Sequence, residues 1–325
     1  MIFPINALIR RLVESGLMKK GKVDIPIISF GNIHYGGTGK TPHVIEAARI
    51  LTARGKKVCV LTRGYRRKGS APVFIGSGAL PGRYEEIGDE PFLIKKRVNE
   101  VSMVVSANRF EGIKLAKEMG SPELFLLDDG FQQFHLEKDQ DYLLIPFSCI
   151  SSLSTLREAW RLRELPGAMR YATSIIVTKV PLSADEEKID GTIEKYAHDK
   201  EIFLTRYRVT GLIDYLGRLS EESKGEEYFL FGGIGDFKGF LNTANSLGLS
   251  IGGSYSLGDH VEYTEDLVMR IRAMAGGMPL LTTEKDLVKL PPERFGPIYA
   301  LRVIVEFVRG REEFETGLFK STELS

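Results

Sequence analysis

Short apolar runs alternate along this chain with segments whose apolar side chains recur every three or four positions. The runs Ile25–Phe30, Lys57–Thr62, Leu124–Leu127, Tyr142–Ile145 and Ser174–Thr178 read as buried strands. The segments 42–54, 108–119 and 185–197 carry the helical period, and Gly55 and Gly120 stand where helix C-caps belong. Alternating strands and helices over most of the chain predict a parallel sheet covered on both faces. A second strand–helix series runs from about Tyr228 to Phe307. Between the two lies a polar, turn-rich stretch, 206–226, where the domain boundary is expected. At the front, Ile5, Leu8, Ile9, Leu12 and Val13 form one apolar stripe at helical spacing, with Pro4 suited to its start and Gly16 to its stop.

Composition narrows this picture. At ~150 residues per domain, 325 residues predict two domains. The expected division is an N-terminal helix over 1–22, a larger domain over 23–205, a hinge over 206–226 and a smaller α/β domain over 227–325. No apolar run approaches the roughly 18 residues of a membrane span. Two isolated cysteines, Cys59 and Cys149, exclude a cysteine zinc motif and argue against a disulfide framework. The formal charge is +1, but residues 1–22 hold five cations (Arg10, Arg11, Lys19, Lys20, Lys22) against Glu14 alone. That leaves the rest of the chain acidic. Two readings fit the N-terminal segment: a helix packed on the core, or an interfacial helix on an anionic membrane surface. A cleaved signal peptide does not fit, because Arg10 and Arg11 interrupt the apolar run.

The strongest chemical signal is Gly31-Asn32-Ile-His34-Tyr-Gly36-Gly37-Thr38-Gly39-Lys40-Thr41-Pro42, which follows a strand and opens a helix. That is the setting of a phosphate-binding loop: backbone N–H groups curl round an anion at a helix N-terminus. Lys40 would reach the outer phosphates of a nucleotide and the Thr41 hydroxyl would ligate Mg²⁺. His34 stands where the strict motif has glycine. Asp128 and Asp129 end the strand Leu124–Leu127, at the edge where a parallel sheet presents its ligands. They read as carboxylates for a Mg²⁺-nucleotide or as a surface turn. Gly88-Asp89-Glu90-Pro91 reads as a helix start or as a site with Asp89 as general base. Seven cations and no acid fall within 54–68, mostly a solvated face, with Arg63 at a strand end. Nucleic acid is not expected, since the chain is nearly neutral and carries no such motif. Gly258-Asp259-His260 stands in a polar turn, and Thr283 could cap a helix with Asp286 closing a capping box.

Taken in order, these residues resemble the tetraacyldisaccharide 4′-kinase family, the lipid A 4′-kinases of Gram-negative bacteria. The residues that carry the resemblance are Gly31-Asn32 leading into Gly36–Pro42, Arg63-Gly-Tyr65, Gly88–Pro91, Arg109, Asp128-Asp-Gly-Phe-Gln132, Leu156-Arg157-Glu158, Phe231-Gly-Gly-Ile-Gly235, Asp259-His260 and Thr283-Glu-Lys-Asp286. The family often has a second histidine after Asp-His, where this chain has Val261. The resemblance implies a P-loop NTPase-like domain joined by a hinge to a smaller α/β domain. It implies transfer of the ATP γ-phosphate, with Mg²⁺, to the 4′-hydroxyl of a tetraacylated glucosamine disaccharide 1-phosphate. The place of action would be the cytoplasmic face of the inner membrane, reached peripherally through residues 1–18, with no obligate protein partner. By position, Asp89, His260 and Lys40 would be catalytic. The loop Gly36–Thr41 would hold ATP, and Thr41, Asp128, Asp129 and Glu158 would surround Mg²⁺. Asn32, Arg63, Arg109 and Arg157 would meet substrate.

Two other readings compete. One is a P-loop switch GTPase or ATPase acting on a protein partner; Ser174–Lys179 faintly resembles a guanine-reading element, but Pro181 stands where that element has aspartate. The other is a kinase for a soluble small molecule, with the N-terminal stripe as core packing. A non-enzymatic binding module would leave the phosphate loop and its carboxylates unused.

Overall fold

The computed structural model describes residues 3–65, 67, 69–153, 162–220, 225–258, 261–290 and 297–323. The chain forms two compact units, Met1–Tyr207 with Val305–Ser325, and Arg208–Ile304.

The larger unit begins with α1 (Phe3–Glu14), ended at Gly16 as the sequence predicts. It continues through β1 (Ile27–Asn32), α2 (Lys40–Ala53), β2 (Val58–Thr62), β3 (Val73–Ile75), α3 (Asp89–Arg97) and β4 (Ser102–Val105). Next come α4 (Arg109–Gly120), β5 (Leu124–Asp128), β6 (Gln140–Pro146), α5 (Phe147–Leu153), β7 (Ser174–Thr178), α6 (Glu186–Glu194) and the start of β8 (Glu201–Ile213). The strand order is β8-β7-β6-β1-β5-β2-β4-β3. The pairs from β8 through β4 are parallel and only β3 runs against its neighbour. Strands β1, β2, β5 and β7 are buried along their whole length, which is why they read as unbroken apolar runs. Helices cover both faces, over separate apolar clusters such as Phe30–Val44–Leu126 and Ile33–Leu143–Val177.

The smaller unit holds the end of β8, β9 (Leu219–Ser220), β10 (Glu227–Gly232), α7 (Phe237–Ser246), β11 (Ser250–Ser256), α8 (Glu265–Ala275), β12 (Leu280–Thr283), the short α9 (Glu284–Leu287) and most of β13 (Ile298–Arg309). Its strand order is β11-β10-β12-β13, parallel throughout, with β9 antiparallel to β8. Asp286, fully buried, accepts from the Gly233 amide at 2.9 Å and the Thr283 hydroxyl at 2.9 Å, with Lys289 at 3.3 Å. Thr283 caps α9 as expected. The Asp286 carboxylate, however, ties the turn after β10 to α9, a longer-range task than closing a capping box.

The structure departs from the expected layout in three places. The stretch 206–226, read as a hinge, contains the β8–β9 antiparallel pair. Residues 305–325, read as part of the smaller domain, belong to the larger unit, where α10 (Arg311–Glu323) docks. Phe314 and Leu318 of α10 are fully buried, and Phe314 packs 5.2 Å from Tyr142 and 5.8 Å from Phe203 between ring centroids. Third, the left-handed C-cap of α4 is Ser121 (φ 44°), one residue past Gly120.

Lys95 of α3 is fully buried, and its ammonium donates to the carbonyls of Gly76 (3.0 Å), Asn99 (2.9 Å) and Val101 (2.7 Å). Burial pulls its pKa down to about 8. It ties the C-terminal end of α3 to the chain around β3 and β4, and so sets the helix whose first residue is Asp89.

Candidate active site

The register of the sheet builds the site. Phe30 of β1 lies opposite Asp128 of β5, so the loop leaving β1 and the carboxylates ending β5 emerge side by side. The two chains touch at Gly31, where a β-carbon would stand 2.4 Å from Phe131 Cβ; no other residue fits. The loop then passes through Gly36 (φ 98°) to Gly39 (φ 95°), the N-cap position of α2. There a side chain would be strained by φ and would also meet the Tyr207 hydroxyl at 2.4 Å.

Side chains from neighbouring strands brace this backbone. Asn32 Nδ2 donates to Thr38 Oγ1 at 2.7 Å, and Thr178 Oγ1 of β7 donates to the Thr38 carbonyl at 2.9 Å. His43, fully buried in the first turns of α2, has Nδ1 2.8 Å from the Gly39 carbonyl and Nε2 3.1 Å from Thr205 Oγ1 of β8. A carbonyl only accepts, so the neutral ring carries its proton on Nδ1. Desolvation lowers the His43 pKa to about 4, which keeps it neutral.

Lys40 Nζ lies 3.3 Å from Asp129 Oδ1. Asp129 sits in the left-handed region (φ 57°), so the chain turns sharply after Asp128 and the two carboxylates enter different environments. Asp129 is partly exposed, and Arg163 Nη1 straddles its two oxygens at 2.8 and 2.9 Å. Desolvation would raise its pKa, but Lys40 and Arg163 outweigh that and hold it at about 2. Asp128 is 3% exposed, and its Oδ1 is buried without a hydrogen-bond partner among the described residues. Desolvation, with Glu90 and Asp129 adding repulsion, pushes its pKa up to about 7 against the pull of Lys40 and Arg109.

The electrostatics gather other expected residues. Glu90, in the first turn of α3, acts on Asp128, which brings the start of that helix to the site. The adjacent Asp89 carboxylate accepts from the Glu90 amide at 2.9 Å, at a helix N-terminus that favours its anion. Arg109 is 3% exposed, with desolvation lowering its pKa to about 10 while Asp128 and Asp129 raise it and Arg63 lowers it further. Arg109 donates to the Ser106 carbonyl, so it reaches substrate less directly than a surface cation would. Arg63 is exposed at the end of β2. Arg157, Glu158, Asp259 and His260 lie outside the described residues.

Sequence reasoning passed over Arg163 and Glu164. The tripeptide Leu-Arg-Glu occurs twice, at 156–158 and at 162–164; the second stands at the loop, and the first lies outside the described residues. The backbone of Leu162 bridges that of His34, which is buried, and the Arg163 amide donates to the Ile33 carbonyl at 2.7 Å. Gln132 Nε2 donates to the Asn32 carbonyl at 2.8 Å and to Glu164 Oε1 at 2.9 Å. The repeated tripeptide was the available signal.

The N-terminal helix reaches the same segment. Asn6 Nδ2 donates to the Arg163 carbonyl at 3.1 Å, and Arg10 binds both oxygens of Glu164, at 2.7 and 3.0 Å. The Arg10 guanidinium lies 4.5 Å from the ring centroids of Phe131 and Tyr171 and 4.6 Å from that of Phe134. Asn6 and Arg10 thus face inward, while Ile5 and Leu8 are 59% and 58% exposed and Ile9, Leu12 and Val13 half-buried. Among the described residues no helix is long and apolar enough to cross a membrane, and no cluster of three or more His, Cys, Asp or Glu is placed to hold a metal by itself.

Residues 2–323 match the family model described as tetraacyldisaccharide-1-P 4′-kinase. A curated tetraacyldisaccharide 4′-kinase of Aquifex aeolicus is 33% identical over 92% of this chain and 89% of its own. That of Geobacter metallireducens is 32% identical over 88% and 85%. Among solved structures, the Aquifex aeolicus kinase in complex with ATP superposes with a TM-score of 0.80 at 29% identity, covering 98% of this chain and 95% of that one.

Proposed function

The chain belongs to the tetraacyldisaccharide-1-P 4′-kinase family, and from that premise we propose how its residues divide the work. The reaction, ATP-dependent phosphorylation of the 4′-hydroxyl of a tetraacylated disaccharide 1-phosphate in lipid A biosynthesis, is that of its relatives. The observation that carries the assignment of roles is the convergence of Lys40, Asp129 and Arg163 beside the desolvated Asp128 at the mouth of the phosphate loop.

ATP lies along Gly36, Gly37, Thr38, Gly39, Lys40 and Thr41. The braced backbone presents its N–H groups to the phosphates, and the N-terminus of α2 adds positive potential. Lys40 neutralises the charge that builds on the transferring group. A Mg²⁺ ion fits the donors present: the Thr41 hydroxyl and an Asp128 oxygen unpartnered among the described residues are hard ligands that would hold it. When bound, the ion supplies charge neutralisation across the phosphates. Asp129 holds Lys40 in place, and Glu158, outside the described residues, is a further metal carboxylate only as the family resemblance implies.

Asp89 accepts the proton of the 4′-hydroxyl as its oxygen attacks the γ-phosphorus and the bond to the β–γ bridging oxygen breaks. His260 tunes that base. Asn32 fixes the loop through Thr38, while Arg63, Arg109 and Arg157 supply positive charge for the anionic acceptor. The exposure of Ile5 and Leu8 on α1 supports seating of residues 1–18 on an anionic membrane surface, and the proposed place of action is peripheral, at the cytoplasmic face of the inner membrane. The test is ATP turnover with and without a tetraacyl disaccharide 1-phosphate, with the product mapped for phosphate position. Turnover indifferent to the acceptor, or a preference for GTP without lipid phosphorylation, overturns the reading in favour of a nucleotide switch.

A further inference from the structure

In α1 part of the apolar stripe, Ile9, Leu12 and Val13, is partly covered, but the buried polar contacts of the helix are made by Asn6 and Arg10. Asn6 is 8% exposed, and the Arg10 side chain is 12% exposed although it belongs to a helix at the rim of the fold. A guanidinium enclosed by three aromatic rings and a bidentate, 3%-exposed carboxylate is a built joint, with charge, stacking and fork geometry all satisfied. What it grips, Arg163 and Glu164, reaches the phosphate loop through one further residue each, Asp129 and Gln132. Arg163, whose carbonyl Asn6 holds, straddles Asp129, the partner of Lys40. Glu164, which Arg10 holds, shares Gln132 with the Asn32 carbonyl. Phe131, beneath Arg10, is two residues from Asp129.

We propose that Asn6 and Arg10 are positioning residues for the phosphate loop, so that docking of α1 and binding of ATP are energetically coupled. The segment Leu162–Glu164 is the coupling piece. Held by α1 on one side, it presents Arg163 to Asp129 on the other, and Asp129 in turn sets Lys40. When α1 leaves, Glu164 loses its bidentate partner and Arg163 its carbonyl anchor, so the Lys40–Asp129 pair loses its support. The proposal rests on the reading of Lys40 as an ATP-binding group and not on membrane seating. Its test is therefore made in membrane-free solution.

Coupling between two sites is reciprocal. Amide hydrogen exchange over residues 3–14 is measured in the full-length protein with and without saturating ATP and MgCl₂. Slowing of those amides by roughly five-fold or more on ATP binding is expected. In parallel, Arg10→Met is expected to weaken ATP roughly 5- to 100-fold and to abolish the ATP-linked slowing. Arg10→Lys, which keeps the charge but loses the fork, falls between. A role confined to stability would lower the melting temperature of Arg10→Met without moving its ATP affinity. Unchanged exchange in α1 on ATP binding to the wild-type protein overturns the proposal, and that arm needs no variant to fold. Wild-type ATP affinity in Arg10→Met overturns it too. A wild-type protein that binds no ATP overturns the nucleotide reading itself, a distinct outcome.

Discussion

Lys40 and Asp129 stand 3.3 Å apart, with Arg163 on the other side of the same carboxylate. The lysine proposed to meet the nucleotide is thus held by a residue at the end of a different strand, and that residue by a third segment. Asp129→Asn removes the charge on which both cations lean. It is expected to lower kcat/KM for ATP by on the order of tenfold or more. Because the Asp129 pKa is held at about 2, this carboxylate stays ionised throughout the assay range and gives no step in the wild-type pH profile. Wild-type kinetics in the variant would refute the role.

Asp89→Ala is expected to cut turnover roughly 10²- to 10⁴-fold while ATP still binds. Single-turnover phosphorylation beside equilibrium ATP binding separates the two effects. Near-normal turnover would remove Asp89 from the chemistry.

Asp128 has a folded pKa near 7, above its unfolded value near 3.8. An acid shifted upward gives stability that is complete below its unfolded pKa and lost as pH rises through the folded one. Asp128→Asn should therefore melt higher than the wild type at pH 8, with the gap closing towards pH 4, while phosphotransfer is lost. Thermal melts across that range check it; a gap independent of pH contradicts it.

His43 carries the opposite shift, with a folded pKa near 4 against 6.5 unfolded. Its contribution is present above pH 6.5 and lost as pH falls towards 4. At 1.36 kcal/mol per unit, the advantage of the wild type over His43→Gln should shrink by roughly 3 kcal/mol between those values. Denaturant titrations at pH 7 and pH 4 measure it, and parallel pH dependences would exclude it.

Ile5→Ser and Leu8→Ser remove apolar surface that faces outward from α1. Each is expected to weaken binding to anionic vesicles by roughly tenfold, from the burial of about one such side chain. Flotation with vesicles reads this directly. Unchanged flotation in the double variant would leave α1 with its docking role alone.

What the sequence revealed and what it hid divide along a physical line. The phosphate loop was legible because its strand, glycines, Lys40-Thr41 and helix are contiguous, and β5 because an all-buried strand leaves an unbroken apolar run. Arg163 was hidden because its importance lies in partners thirty residues and more away, Asp129 and Ile33, which leave no local pattern. The stripe on α1 was read correctly as apolar. Which side of the helix is covered depends on Asn6 and Arg10 meeting Arg163 and Glu164, and no periodicity contains that. The same holds for α10: Phe314 looks like any amphipathic residue until Tyr142 and Phe203 are seen around it.

The smaller unit is spliced into the larger one, which closes only with residues 305–323. During translation, then, the nucleotide-binding core cannot complete itself when its last parallel strand leaves the ribosome. It must wait, with the pocket for Phe314 unfilled beside Phe30 and Tyr142, while about a hundred intervening residues are made at roughly 5–20 per second. The enzyme therefore spends several seconds of each synthesis as an unfinished kinase with an open aromatic core.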